Sequence, residues 1–356
     1  MDGLGDESEP VTVTWSLHPG GIDWLTAAYN IQLPYRCLVP QLRPILLTLY
    51  FILPLIPAKA FAGPSLGLAQ DIVVSRAESD SFPLVTEMAA APIWQDLQDF
   101  PGVLRALADL QQDIASVTEK KAELMVEQPQ AKQVVIVGTL GRNEVIDQLV
   151  REGKLSVADL QGKWESFVIT TLSNPLRGIE KALVIAGSDK RGTIYGIYEL
   201  SEQLGVSPWY WWADVPPQKR VQVHIRAGRY ASGEPAVRYR GIFLNNERPT
   251  LSSWAEEKFG GLNADFYTKV FELLLRLRGN YLWPAMWDNA FNEDDANNPR
   301  LAHEYGIVMG TSHHEPMMRA HKEWVRRKHQ YGNGEWNYKT NEAALKKFFR
   351  EGIGNS

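Results

Sequence analysis

Three short apolar segments in the C-terminal half end in side chains that could bind or cleave a sugar. They are YRGIFLNNERPT at 239–250, NYLWPAMWDNAF at 280–291 and YGIVMGTSHHEPMM at 305–318. Buried strands that end in this way are typical of a (β/α)₈ barrel, whose active site lies at the C-terminal ends of its strands. Carboxylates can perform acid–base chemistry, and flat indoles can cover the apolar faces of a pyranose. The pattern therefore favours a carbohydrate site.

The polar residues that follow these strands are the candidate site residues. Glu247 comes directly after the first strand and is the candidate catalytic acid or base, with a helix-capping or ion-paired glutamate as the alternative. Asn289 closes the second segment, and an amide can both donate to and accept from vicinal hydroxyls. His313, His314 and Glu315 follow the third segment. Adjacent histidines suggest a metal, but the H-E-x-x-H pattern is absent, so hydrogen bonding to a polar substrate is the better interpretation and no metal is predicted.

Tryptophan is concentrated in the same half of the chain. Eight of the twelve tryptophans lie between Trp209 and Trp336. Core packing can explain any one of them, but Trp283 and Trp287 stand four residues apart at the end of a strand, where a core explanation is weaker. A net charge of -5 over 356 residues leaves no basic surface of the kind that binds nucleic acid.

Other catalytic and binding motifs are weak or absent. A G-x-S-x-G match at 63–67 lacks the strand and helix that a nucleophile elbow requires, and Cys37 is the only cysteine. No nucleotide-binding glycine pattern is present, although a nucleotide-binding α/β protein remains an alternative. Lys190 and Arg191 stand where a helix begins, a position that favours anions, and a solvated turn explains them equally well.

Apolar periodicity predicts alternating strands and helices in two successive units. In the first unit, the predicted elements are a helix at 100–117, strands at 134–139 and 182–187, a helix at 193–203 and a strand at 221–225. In the second unit they are strands at 239–244, 281–283 and 306–309 and helices at 264–278, 300–305, 317–328 and 341–350. The predicted fold class is α/β, with a small N-terminal α/β domain at 63–235 followed at 236–356 by an incomplete TIM-type (β/α) barrel, because three units do not close a barrel.

The first 62 residues have a different character. Arg36 and Arg43, a largely apolar run at 45–56 and an A-x-A pattern at 60–62 together predict a signal-peptide-like segment at 36–62, with cleavage after Ala62. A buried strand or helix is the alternative. Because a signal should begin near the first residue, residues 1–35 are interpreted as a spurious or disordered extension. The mature protein is expected to be secreted and not bound to a membrane.

Four motifs in order resemble glycoside hydrolase family 115, the xylan α-1,2-glucuronidases. They are GSDKRGTIYGIYELSEQLGVSPWYWWADVP at 187–216, YRGIFLNNE at 239–247, FELLLRLRGNYLWPAMW at 271–287 and GIVMGTSHHEPMMR at 306–319. The resemblance extends from about Gly63 to the end of the chain. It implies an α/β domain beside a TIM barrel with the active site at their junction, inverting hydrolysis without a cofactor, glucuronoxylan or aldouronic acids as substrates, and a possible homodimer.

The resemblance also assigns roles to individual residues. It implies Glu247 as the catalytic residue and, as substrate-binding residues, Asn246, Trp283, Trp287, Asn289, His313, His314, Glu315, Lys190 and Arg191. Because a uronic acid carries a carboxylate at C6, a positive group must lie near that carbon. Lys190, Arg191 and a protonated His314 are the candidates.

Two departures from the family pattern bear on activity. Asn246 stands where the family usually has an aspartate, and an amide cannot transfer a proton as a carboxyl group does. Family members are also several hundred residues longer and carry further acidic residues in the rest of the barrel. An inverting site needs two carboxyl groups about 6.5–9.5 Å apart, and this chain supplies one candidate. The sequence therefore predicts little or no activity for the 356-residue product. The alternative is a non-catalytic carbohydrate-binding protein.

Overall fold

A mixed arrangement of strands and helices makes up the described part of the chain, residues 67–311 and 315–355 of a computed structural model. The predicted extension at 1–35, the signal-like segment at 36–62 and its cleavage point lie outside these residues. Within them, no helix combines the length and the apolar character needed to cross a bilayer. The described residues belong to one compact unit, 62–356, and the division into domains at 235/236 stays a prediction.

The strands of the described residues form three sheets. In chain order they are β1 (Val73–Val74), β2 (Phe82–Val85), β3 (Ile93–Trp94), β4 (Leu124–Met125), β5 (Gln133–Thr139), β6 (Phe167–Leu176), β7 (Ile179–Gly187), β8 (Val223–Ile225), β9 (Arg229–Ser232), β10 (Gly241–Leu244), β11 (Tyr281–Pro284) and β12 (Val308–Met309). The sheet orders are β1-β8-β2, β4-β3-β5-β7-β6-β9 and β10-β11-β12.

The α-helices of the described residues connect and cover these strands. In chain order they are α1 (Pro101–Thr118), α2 (Glu144–Arg151), α3 (Lys190–Gln203), α4 (Leu251–Phe259), α5 (Ala264–Arg276), α6 (Phe291–Asp294), α7 (Asn297–Tyr305), α8 (His321–Arg327) and α9 (Tyr338–Gly352). The α/β fold class is confirmed.

The centre of the six-stranded sheet is the parallel pair β5 and β7. Val134 to Val137 and Ala182 to Ala186 are buried along both strands, as expected for strands covered on two faces. On one face α1 and α3 pack, and on the other α2 packs through Ile146 and Leu149. The predicted strands and helices of this unit are confirmed.

β6 was not predicted from the sequence. Its outer half is polar, including Ser173 and Asn174, so it lacks the continuous apolar run that marks β5 and β7. It joins the sheet as the antiparallel neighbour of β7, with Gly178 in a left-handed conformation between the two strands. Pairing with a buried neighbour therefore defines this strand more than its own composition does.

The third sheet consists of three parallel strands with β11 in the middle. The register pairs Ile242 with Leu282 and Phe243 with Trp283, and paired residues of parallel strands lie on the same face. Leu282 belongs to the main core, which also includes residues of α5 and α7. On the opposite face, Phe243 is 50% exposed and its ring lies 4.5 Å from that of Trp283.

The segment after β12 differs from its prediction. A helix was expected over 317–328, but the chain makes a short 3-10 turn at Pro316–Met318 before α8 begins at His321. Met317 and Met318 have left-handed backbone angles, φ 52° and 60°, which interrupt a helix. Gly352 of α9 lies against this turn, because a Cβ there would stand 2.1 Å from the Met317 carbonyl oxygen.

A charged cluster joins α1 and α3 to α5. The guanidinium of Arg276 donates to both oxygens of Asp113 at 2.9 and 3.2 Å and to Glu272 at 2.9 Å. The hydroxyl of Tyr198 donates to Asp109 at 2.6 Å. Two carboxylates therefore share one buried guanidinium, Asp109 lies near enough to interact with both Glu272 and Arg276 through its charge, and Lys269 contributes only from the rim, 3.8 Å from Glu272. Such a cluster favours retention of a proton on one carboxylate.

The pH dependence of stability tests this cluster. Burial and the nearby Glu272 raise the pKa of Asp109 from 3.8 to about 6. Because the folded pKa lies above the unfolded one, Asp109 contributes stability that is present below about pH 4 and lost as the pH rises through about 6, at most about 3 kcal/mol. In Asp109→Asn this loss should vanish, so the variant should gain stability relative to the natural chain between pH 4 and 7 in urea unfolding followed by circular dichroism.

Asp80→Asn, at an exposed turn, is the matched control and should follow the pH dependence of the natural chain. If the difference in unfolding free energy between Asp109→Asn and the natural chain stayed the same across this pH range, Asp109 would not be the group that retains the proton.

Candidate active site

Several of the candidate site residues, Asn246, Glu247, Asn289 and Glu315, lie at one edge of the β10–β12 sheet. Leu244 at the end of β10 is paired with Pro284 at the end of β11. Because the strands are parallel, the loops that follow them leave the sheet on the same side. These loops carry Asn246, Asn289 and Glu315, as the sequence predicts.

Asn246 and Asn289 form a buried amide pair. Asn246 is 5% exposed, and its Nδ2 donates to Oδ1 of Asn289 at 2.5 Å. The remaining Oδ1 of Asn246 has no hydrogen-bond partner among the described residues, whereas the Asn289 side chain also interacts with the Tyr267 hydroxyl. One buried acceptor at the end of β10 is thus left unsatisfied, which is rare in a protein interior and characteristic of sites with further ligands.

Glu247 lies in the turn between β10 and α4 and is exposed. The N-cap of α4 is Thr250, whose hydroxyl donates to the Glu247 carbonyl oxygen at 2.6 Å, so Glu247 itself does not cap the helix. Among the described residues it has no ion-pair partner. The capping and ion-pair alternatives therefore find no support, and the carboxylate is accessible at the edge where the amide pair lies.

Glu315 is held inside the protein. It is 1% exposed, and its Oε1 accepts from the backbone N–H of Met286 at 2.9 Å while its Oε2 accepts from the Trp283 indole N–H at 3.4 Å. Both oxygens are used by the protein. Glu315 therefore joins the loop after β12 to the loop after β11 and holds Trp283, and its role as a substrate ligand stays a prediction.

The two tryptophans of the second segment differ in environment. Trp283 is partly buried between Phe243 and the Glu315 carboxylate. Trp287 is 50% exposed in the loop beyond β11. Trp287 is thus the more accessible of these two indoles. His313 and His314, the other predicted ligands at this edge, lie outside the described residues.

A cavity of about 330 Å³ adjoins the amide pair. Its walls come from the turn after β10, from α4 and the loop that follows it, and from the loops after β11. Its lining residues are Asn246, Arg248, Ser252, Glu256, Gly260, Gly261, Leu262, Asn263, Asp288, Asn289 and Asp294. This polar, charged lining can hydrogen-bond a hydroxylated ligand.

Lys190 and Arg191 lie at the opposite edge of the sheet, which corrects their predicted placement. Arg191 binds the Glu165 carboxylate and the Gly306 carbonyl oxygen, the latter at 3.0 Å, and Lys190 donates to the His303 carbonyl oxygen at 2.6 Å. Glu165 precedes β6, and His303 and Gly306 precede β12. A four-residue strand, at about 3.3 Å per residue, separates the two edges by roughly 13 Å.

The physical reason for this correction is that the two cations join α3 to the segments before β6 and β12. Burial and the neighbouring Arg191 lower the pKa of Lys190. Among the described residues, no group of three or more His, Cys, Asp or Glu side chains is arranged to hold a metal ion.

Sequence reasoning did not identify the rest of the cavity lining. Arg248, Ser252 and Glu256 belong to the turn and helix after β10, and α4 itself was not predicted. The adjacent pair Gly260–Gly261, both with positive φ, is the one local signal of a sharp loop next to the site.

The fold and this edge describe an α/β protein with polar residues gathered at the C-terminal ends of a parallel sheet. Residues 232–356 match the family model of glycosyl hydrolase family 115. A solved structure described as a novel family 115 4-O-methyl-α-glucuronidase with specificity for decorated arabinogalactans is 32% identical, with a TM-score of 0.65, over 77% of this chain and 35% of that one. The chain belongs to glycosyl hydrolase family 115.

The chain spans about a third of the length of that glucuronidase. A more distant solved structure, the chitobiase of Flavobacterium johnsoniae, is 13% identical with a TM-score of 0.40, over 69% of this chain and 34% of that one. This second similarity is too weak to support an argument. No curated protein matches the chain.

The contrasting environments of Glu315 and Glu247 predict different effects on stability. Glu315→Gln replaces one of two accepting oxygens with a donor that faces an N–H group, and should lower the free energy of unfolding by about 1–3 kcal/mol. Glu247→Gln alters an exposed side chain and should change it by no more than about 0.5 kcal/mol. Urea unfolding of both variants measures the difference, and equal effects would contradict the described role of Glu315.

Proposed function

We propose that the residues at this edge form part of the active site of a glycoside hydrolase. Its reaction is the release of 4-O-methyl-glucuronic acid or glucuronic acid from α-1,2-linked xylan side chains. The observation that carries the proposal is the 32% identity to a 4-O-methyl-α-glucuronidase over 77% of this chain. The accessible Glu247 and the incompletely bonded amide pair lie within the matched segment 232–356.

The proposed mechanism is a single displacement with inversion. One carboxylic acid protonates the glycosidic oxygen of the leaving xylosyl group, while a carboxylate on the other face of the ring takes a proton from water. The water oxygen then bonds to the anomeric carbon as the glycosidic bond breaks. Glu247 is the proposed carboxyl group in this chain, because it is exposed at the edge and tied to no described cation.

We further propose that β10–β12 are the first strands of a TIM-type barrel. Parallel sheets are normally covered on both faces. The face that carries Phe243 and Trp283 is half-exposed, while on the other face Leu282 packs in the core and Ile242 on the β10 strand is 39% exposed. The aromatic face would line the inside of such a barrel, and the loops after the strands would then surround one site at its C-terminal end.

Secretion is part of the same proposal. A polymeric plant polysaccharide cannot enter a cell, so its hydrolysis requires an enzyme outside it. The basic, apolar and small-residue pattern of residues 36–62 supports export. Homodimer formation likewise stays a prediction from the family resemblance.

Release of uronic acid from two polysaccharides tests the proposed activity. The 356-residue chain should release 4-O-methyl-glucuronic acid slowly from glucuronoxylan, measured chromatographically after fluorescent labelling, with decorated arabinogalactan as the alternative substrate. Glu247→Gln removes a group that transfers a proton and should lower the rate by about 10²–10⁴-fold. Glu257→Gln, an exposed change on α4, is the control and should not alter it. Undiminished release by Glu247→Gln would exclude Glu247 as the catalytic residue.

Asn246→Asp tests whether the missing carboxyl group limits the rate. An aspartate at this position can accept from Nδ2 of Asn289 and adds a titratable group beside Glu247. We expect the rate of uronic acid release to rise by about 10²-fold. Asn245→Asp places the same charge one residue away and should not raise it. Equal rates for the two variants and the natural chain would show that Asn246 does not limit turnover.

A further inference from the structure

The placement of Lys190 and Arg191 leaves open which cation meets the carboxylate of a uronic acid. Within the described loops beyond the C-terminal ends of β10, β11 and β12, the basic residues are Arg248 and Arg319. Arg319 is buried, its guanidinium lies 4.1 Å from the ring centroid of Phe348, and its Nε is 2.9 Å from Glu323. It therefore belongs to the small apolar cluster of Trp324, Tyr331, Leu345 and Phe348, and Arg248 is the accessible cation of these loops.

Arg248 lines the cavity that adjoins the amide pair. Its side chain is 62% exposed, and its Nη2 donates to Oε2 of Glu256 at 2.9 Å. Its Nε and Nη1 make no hydrogen bond to the residues that the structure describes. A guanidinium with free donors on one side is suited to a planar carboxylate, which it can bind through two parallel hydrogen bonds.

The other charges of the cavity do not exclude an anion. Asp288 accepts from Lys322 at 2.9 Å, and Asp294 lies 2.7 Å from Arg326. Each acidic residue of the lining, Glu256 included, thus has a cation beside it. The negative charge of each of these acids is therefore balanced by a neighbouring cation, and Arg248 still has donors with which to bind an entering carboxylate.

We propose that Arg248 binds the carboxylate of the uronic acid in this cavity and gives the site its preference for acidic over neutral sugars. The inference rests on the proposed function for the class of ligand. Asn246 and Asn289 lie on the same wall and place the ring hydroxyls next to amides. Glu256 holds the guanidinium at the cavity and competes with the ligand for it, so Glu256 limits the affinity.

Ligand binding, measured without turnover, tests this role. Calorimetric titration of the full chain would compare 4-O-methyl-glucuronic acid with its neutral counterpart, 4-O-methyl-glucose. Arg248→Met should weaken binding of the acid by at least about tenfold, the loss expected for a charge-assisted hydrogen bond, and leave the neutral sugar nearly unchanged. Glu256→Gln should act in the opposite direction and tighten binding of the acid by about two- to fivefold.

Arg151→Met is the matched control, because Arg151 is also exposed and paired with a glutamate, Glu144, at 2.6 Å on the distant helix α2. It should change neither affinity. No binding of the acid by the natural chain, equal weakening of both sugars by Arg248→Met, or weaker binding of the acid by Glu256→Gln would each overturn the inference. Retained, Arg248-dependent binding without uronic acid release would refute the proposed hydrolysis and leave the role of Arg248 intact.

Discussion

The buried carboxylate of Glu165 is the constraint on which the arrangement of the site depends. Its side chain is 0% exposed and receives hydrogen bonds from Arg191 of α3, from Arg240 before β10 at 2.5 Å and from Asn280 before β11 at 2.7 Å. A buried charge is tolerated only while its partners stay in place, and loss of one partner typically costs several kcal/mol. The backbone N–H of Asn280 also donates to the Arg240 carbonyl oxygen at 2.7 Å. The six-stranded sheet therefore fixes where the parallel strands start.

Because the starts of these strands are fixed, the positions of their ends follow from their length. The buried guanidinium of Arg276 adds a second tie, between α5 and α1, on the helical side of the same strands. These contacts, together with the Arg278 ion pairs to Glu199 and Glu202 of α3, hold the start of the parallel sheet in place, and the loops at the opposite edge are left to vary. This separation of a stabilising edge from a site edge is the usual division of labour in β/α proteins.

The sequence predicts the framework well where one local signal is enough. The continuous β-branched run of β5 and the amphipathic pattern of α1 identify their elements without tertiary information, and parallel strand ends correctly predict that Asn246 and Asn289 meet. Prediction from the sequence fails where the role of a residue depends on a partner far away in the chain. The start of a helix predicts either an anion ligand or a solvated turn at Arg191, whereas its partner is Glu165, a carboxylate of the protein itself.

Gly352 near the end of α9 lies against the 3-10 turn that follows β12. A β-carbon there would meet the carbonyl oxygen of Met317, in the left-handed turn that follows Glu315. Even an alanine would therefore push on that turn, and through Glu315 the displacement would reach the indole of Trp283. A substitution at this helical position can therefore alter the edge that carries Trp283 without contacting it, and a search for variants of that edge has reason to include Gly352.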